Sequence, residues 1–260
     1  MQSKTYRLKE FIDPADGRSL VIDASAGLSL GALAGLEYFS EAVEAVLPLV
    51  DGLVTSPGMA GKLSGRTRQE ATLLVRADWT NAIRKTDFVL PPETINHLTL
   101  LGPSDALDLG ASAIVLYFLL GHEEQIEASC LRTTVQFALQ GSQAGMPLVI
   151  DVQPIGPRVV LRSKAIALGV SYALEGGADG IAIPWPGPET LQTVLTMAAE
   201  VPVWVKPDEL DQAERVLAEA LALGAAGLWL DERIFAQPDP PGIISGLAAQ
   251  VHQSIAAGPS

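Results

Sequence analysis

The sequence predicts a single-domain α/β fold, the (β/α)8 or TIM barrel, on three observations. The chain has 260 residues, close to the length of about 250 that such a barrel commonly needs. Eight short apolar runs rich in Val, Ile and Leu are separated by segments long enough for a helix. They are continuous rather than alternating, as parallel strands covered on both faces should be. Glycine- or proline-containing breaks precede most of them, the punctuation expected where a helix stops and a strand begins. A doubly wound open sheet is the alternative that shares this pattern.

The runs, in order, are Ser19–Ser25 (SLVIDAS), Gly52–Ser56 (GLVTS), Thr72–Asp78 (TLLVRAD), Ser112–Phe118 (SAIVLYF), Pro147–Gln153 (PLVIDVQ), Gly180–Pro184 (GIAIP), Pro202–Lys206 (PVWVK) and Gly227–Asp231 (GLWLD). The even runs follow small-residue stops such as LGASAIVL, GGADGIAI and LGAAGLWL, where glycine can take the left-handed cap. Two odd runs start after proline instead, MPLVID and VPVWVK. Eight strand-and-crossover units with right-handed connections close into a barrel.

Between the runs, Tyr38–Leu49, Ser129–Ala144, Ser163–Leu174, Glu189–Glu200 and Leu210–Leu223 carry apolar residues at three- and four-residue spacing and read as helices. Residues 1–260 therefore form one domain. The proline-rich stretch 85–107 follows the third strand and is expected to be a lid loop, and residues 254–260 a frayed tail.

Composition narrows the function classes. Hydrophobic residues make up 48% and charged residues 18%, which argues for a packed core rather than disorder. A net charge of -13 without a basic patch disfavours nucleic acid and anionic membrane surfaces. The longest apolar run, 113–120, falls short of the roughly 20 residues that span a bilayer, and the N-terminal stretch lacks a signal-peptide pattern. The single cysteine, Cys130, cannot form an internal disulfide and suits a reducing, cytoplasmic compartment.

In a barrel of this kind the reacting groups come from the carboxyl ends of the strands. That rule selects Asp23 with Ser25, Arg76 with Asp78, His122, Asp151 with Gln153, Lys206, and Asp231 with Arg233. Asp23, Asp78, Asp151 and Asp231 have the hard oxygen donors that Mg²⁺ prefers, but there is no metal-ligand spacing, and the same acids can pair with Arg76, Lys206 and Arg233. No metal or cofactor is assigned. His122 can be a general acid or base, or simply start the next helix. Trp185 lies between prolines beyond the sixth strand, where it can line a pocket or fill core.

The stretches GRSLVIDASAG, DGLVTSPGM, LLVRADWTN, LGASAIVLY, GMPLVIDVQPIG and EGGADGIAI resemble the class I fructose-bisphosphate aldolases of the archaeal or DhnA type, in the wider group with deoxyribose-phosphate aldolase. The resemblance covers roughly residues 17–235. It implies carbon–carbon lyase or related carbonyl chemistry on a small sugar-like ligand, and assembly into a homo-oligomer. The family forms a Schiff base through a lysine on the sixth strand, but Ala182 and Pro184 stand at the corresponding positions. Lys206 is similar to the second, strand-seven lysine of deoxyribose-phosphate aldolase. Three roles stay open for it: imine-forming amine, ion-pair partner of the surrounding acids, or substrate-orienting cation.

In the first case Asp23, Gln153 and His122 assist Lys206, while Ser25, Arg76, Asp78, Asp151, Trp185, Asp231 and Arg233 contact substrate. The family's phosphate-binding turns appear as Lys206-Pro207-Asp208-Glu209 and Asp231-Glu232-Arg233, whose acids repel a phosphate. A family member without aldolase activity, serving as a small-molecule binder or assembly subunit, is the alternative.

Overall fold

The computed structural model describes residues 2–31, 33–63, 70–84 and 90–252. The barrel is formed by β1 (Ser19–Asp23), β2 (Gly52–Thr55), β3 (Thr72–Arg76), β6 (Ala113–Leu119), β7 (Leu148–Gln153), β8 (Gly180–Pro184), β9 (Val203–Lys206) and β10 (Gly227–Leu230). These eight strands, one from each predicted run, close in the order β1-β10-β9-β8-β7-β6-β3-β2, with every neighbour parallel. Helices α1 (Gln2–Leu8), α2 (Gly27–Leu30), α3 (Phe39–Glu44), α4 (Pro57–Leu63), α5 (Pro103–Asp108), α6 (Glu124–Ala144), α7 (Arg162–Glu175), α8 (Pro188–Ala198), α9 (Ala213–Leu223) and α10 (Pro240–His252) complete the described chain. No described helix is long and apolar enough to cross a membrane.

Two elements depart from the sequence pattern. The helix expected over Tyr38–Leu49 is α3 followed by a separate 3-10 turn, Leu47–Leu49. Pro48 accounts for the break, because its ring has no N–H and clashes with the preceding helical turn. The third run also ends early. After Arg76 the chain leaves the barrel, and β4 (Asp78–Thr80) pairs antiparallel with β5 (His97–Thr99), Asp78 opposite Thr99 and Thr80 opposite His97.

Within the stretch 85–107, His97–Thr99 are this returning strand and 103–107 the start of α5, while residues 85–89 and the tail 254–260 lie outside the described residues. The GGADG stop behaves as expected: α7 ends at Glu175, and Gly177 takes φ 89°, the left-handed region that glycine enters without a Cβ clash. Gly227 is needed for another reason. A Cβ there would lie 1.9 Å from the Ser19 carbonyl oxygen on the neighbouring strand.

The register decides which side chains face inward. Residues paired across parallel strands share a face, and alternate residues along a strand return to it. Val21 pairs with Trp229, Gly227 with Trp204, Trp204 with Ala182, Ala182 with Asp151 and Asp151 with Tyr117. The interior holds Phe11, Val21, Val54, Leu74, Val115, Val149, Ala182, Trp204 and Trp229, all buried. Most of the other buried apolar side chains form a second cluster, on the outer face of the barrel under the helices.

Trp204 is the keystone of this interior. Its ring stacks on Phe11 at 5.7 Å and meets Trp229 edge-on at 6.0 Å, and its Nε1–H donates to Ser19 Oγ at 2.7 Å. Gly180 leaves room for it, since a Cβ there would come within 2.9 Å of the indole. Trp204→Ala is expected to cost about 3–5 kcal/mol, the range for removing a buried large aromatic. A urea midpoint lowered without a change of slope would report that loss; an unchanged midpoint would show that the cavity collapses freely.

Candidate active site at the carboxyl end of the barrel

Above the tryptophans the inward faces become charged. Asp23 ends β1, Arg76 ends β3, Asp151 and Gln153 lie on β7, and Lys206 ends β9. Arg76 is 1% exposed and bridges two carboxylates. Its Nη2 donates to Asp151 Oδ2 at 3.0 Å and also to Asp23 Oδ2. Lys206 Nζ donates to the other oxygen of Asp151, which also accepts from Gln153 Nε2 at 2.8 Å. Ser25, just beyond the carboxyl end of β1, closes the network: its hydroxyl donates to Asp23, its Oγ accepts from Arg76 Nε at 3.3 Å, and its N–H donates to Asp23 at 2.9 Å.

The electrostatics follow from these contacts. Burial pushes the Asp23 carboxyl up, but Arg76, Ser25 and Lys206 outweigh it, leaving Asp23 below the usual aspartate range. Burial opposes the charge of Arg76, while Tyr117, Asp23 and Asp151 hold the guanidinium well above its ordinary value. The Tyr117 ring lies under Arg76, with the guanidinium carbon 3.7 Å from the ring centroid. Burial keeps the Tyr117 hydroxyl well above the ordinary tyrosine range.

Asp23, Tyr117, Asp151, Gln153 and Lys206 line an open cavity of about 390 Å³ together with residues of the loops after β7, β9 and β10. Of the residues singled out from sequence, Asp23, Asp151, Gln153, Lys206, Asp231 and Arg233 line it. Arg76 and Ser25 lie behind the lining and act through Asp23 and Asp151.

Three residues do not reach the cavity. Asp78 is fully buried in β4, where Oδ2 accepts the Tyr117 N–H at 2.6 Å and lies 2.7 Å from His97 Nε2. His122 is buried beyond β6, its Nε2 has no hydrogen-bond partner among the described residues, and burial lowers its pKa. Trp185 packs half-buried against the outer core.

Tyr117, Arg162 and Trp229, given no role at the sequence level, also line the cavity, as do Asp208 and Glu232 of the two acidic turns. Tyr117 reads as core within SAIVLYF, Arg162 as the surface start of a helix, and Trp229 as one residue of an apolar run. Glu232 follows Asp231 directly, and only the fold turns it into the cavity. Burial, with the neighbouring Asp231 and Asp23 charges, raises its carboxyl above the ordinary glutamate range.

A wider comparison agrees with this architecture. No protein-family profile matches the chain. It is 30% identical over 211 residues to the 2-amino-4,5-dihydroxy-6-oxo-7-(phosphonooxy)heptanoate synthase of Streptomyces griseus, covering 79% of this chain and 74% of the relative. It is 23% identical over 250 residues to an uncharacterized aldolase of Saccharolobus solfataricus, covering 92% and 91% respectively.

Among solved structures, an archaeal fructose-1,6-bisphosphate aldolase with its catalytic lysine bound to the carbinolamine intermediate superposes with a TM-score of 0.78 at 19% identity, over 95% of this chain and 99% of that one. That likeness concerns the fold. With the closed barrel, the charged mouth and the Streptomyces relative together, the chain belongs to the class I, archaeal-type fructose-bisphosphate aldolase-like family, the DhnA/DeoC-like aldolases.

Proposed function

We propose that this protein makes or breaks a carbon–carbon bond beside the carbonyl of a small sugar-like compound, with Lys206 as the amine that forms an imine. The observation that carries this reading is the position of Lys206: a barrel strand delivers it into the mouth cavity, in contact with Asp151. The inward residues of β8, Ala182 and Pro184, carry no amine. The relatives' names, an aldolase and a synthase, support the same reaction class.

An ammonium is not a nucleophile, so its proton must leave first. Asp151 takes it, with Arg76 and Gln153 steadying the carboxylate. The neutral amine then adds to the substrate carbonyl, and loss of water gives the iminium. Cleavage sends the bond's electrons into the iminium to form an enamine, while a mouth carboxylate removes the proton of the β-hydroxyl. Protonation of the enamine and hydrolysis of the resulting iminium by water return Lys206. We assign these proton transfers to Asp23 and Asp231, whose carboxylates line the same cavity.

Borohydride reduction in the presence of hydroxyacetone should give a stable adduct on Lys206, located by peptide mass spectrometry, and Lys206→Met should abolish it while the fold survives. An unmodified Lys206 across a panel of ketones and aldehydes would instead support the binder, a reading favoured by the Lys206–Asp151 ion pair. We further propose a homo-oligomer in the cytoplasm, supported by exposed Val160 and Leu161 on the β7–α7 loop and by the free Cys130. Sedimentation showing only monomer would remove the first.

A further inference from the structure

The cations of the mouth are already engaged. Arg162 grips Asp208 with two hydrogen bonds, of 2.8 and 2.7 Å. Arg233 binds Asp231 through Nε at 2.9 Å and Nη2 at 2.7 Å, and its Nη1 donates to the Asp208 carbonyl at 2.7 Å. Lys206 and Arg76 are held by Asp151 and Asp23. The backbone is committed in the same way. The Arg233 N–H, at the turn after β10 where a barrel of this class can hold a phosphate, donates to Asp231 Oδ1 at 3.1 Å.

Five carboxylates line the cavity, against four cations that line it or lie just behind it. Glu232 is the carboxylate left over: it lines the cavity, and among the described residues it has no ion-pair partner, Arg233 being committed to Asp231 and only acting on it through space alongside the acids Asp231 and Asp23. Trp229 adds an uncommitted donor, since its ring lines the same cavity and its buried Nε1–H has no acceptor among the described residues.

A phosphate entering here would have to break existing ion pairs and then face an unpaired acid. A protonated amine would meet that acid directly, and a hydroxyl or carbonyl oxygen can accept from the indole N–H.

We propose that this mouth selects a small amine-bearing carbonyl compound over its phosphorylated counterpart, with Glu232 receiving the amine. The inference rests on the carbonyl-compound reading above, and fixes the charge of the group at the far end of the substrate.

A matched ketone series tests it: aminoacetone, hydroxyacetone and hydroxyacetone phosphate, which differ only in a cationic, neutral or anionic substituent. Calorimetric titration of the full chain should rank them in that order, with aminoacetone about tenfold tighter than hydroxyacetone, as expected for one charge-assisted hydrogen bond. Glu232→Gln should erase that advantage without changing hydroxyacetone binding, and Glu232→Asp should keep part of it.

Tightest binding of the phosphate, or an amine advantage that survives Glu232→Gln, would overturn the proposal. Binding is read without trapping, so an unreactive Lys206 would defeat the catalytic reading and leave the ranking intact. The reverse result would defeat only the selectivity.

Discussion

Arg76→Met is expected to destabilise the protein by about 3–5 kcal/mol, because it strips the shared cation from two buried carboxylates. Asp23 and Asp151 are 7% and 1% exposed and both accept from the same Nη2. Methionine fills a similar volume, so the loss is electrostatic rather than a cavity effect. Lys206 can still neutralise Asp151, whereas among the described residues Asp23 keeps only Ser25 as a direct hydrogen-bond partner.

The double variant Arg76→Met, Asp23→Asn should therefore recover part of the loss. Urea unfolding read by tryptophan fluorescence measures both proteins. If the single variant were as stable as the parent, Arg76 would have to be balanced by its own desolvation cost. Imine trapping on Lys206 should also fall, since the Asp151 carboxylate that takes the amine's proton loses its main anchor.

A second large effect is expected from pH. His97 on β5 lies between Asp78, 2.7 Å away, and the Cys130 sulfur on α6, 3.4 Å away. Burial alone would lower its pKa, but these two partners raise it to about 10. The folded protein then holds a proton that the unfolded chain, near the ordinary histidine value of about 6.5, releases. This contribution is complete below pH ~6.5 and disappears as pH rises through about 10. It amounts to up to about 5 kcal/mol, so unfolding midpoints should fall steadily across that window.

His97→Gln should be less stable at pH 6 and should flatten the slope between pH 7 and 10. A slope equal to the parent's would place the titrating group elsewhere. Loss of the imidazolium also releases Asp78, which holds the Tyr117 N–H, so ligand binding at the mouth should weaken in parallel.

The fold was legible because its signal is local. Continuous Val/Ile/Leu runs, the GGADG stop and the proline breaks each describe one element, and eight of them in succession leave few topologies. The mouth was legible in part for the same reason: Asp23, Arg76, Asp151 and Lys206 each stand at or near the end of a run. Asp78, His122 and Trp185 meet the same sequence rule yet are not among the residues that line the cavity. The chain leaves the barrel at Ala77, and the positions beyond β6 and β8 are no longer governed by strand alternation.

By itself the sequence determined eight apolar strands separated by helices, a net charge of -13, and the identity of the charged groups near the strand ends, while closure of the barrel was decided by the tertiary structure. Tertiary structure decided which charge meets which. Arg76 and Asp151 are 75 residues apart, and Trp204 and Ser19 are 185 apart. Among the described residues Glu232 has no ion-pair partner, the cations of the mouth being engaged by a carboxylate from another strand or loop, or by the adjacent Asp231. Strand periodicity fixes the face that a side chain occupies, but partners across the barrel are set only when register and closure bring distant segments within hydrogen-bond reach.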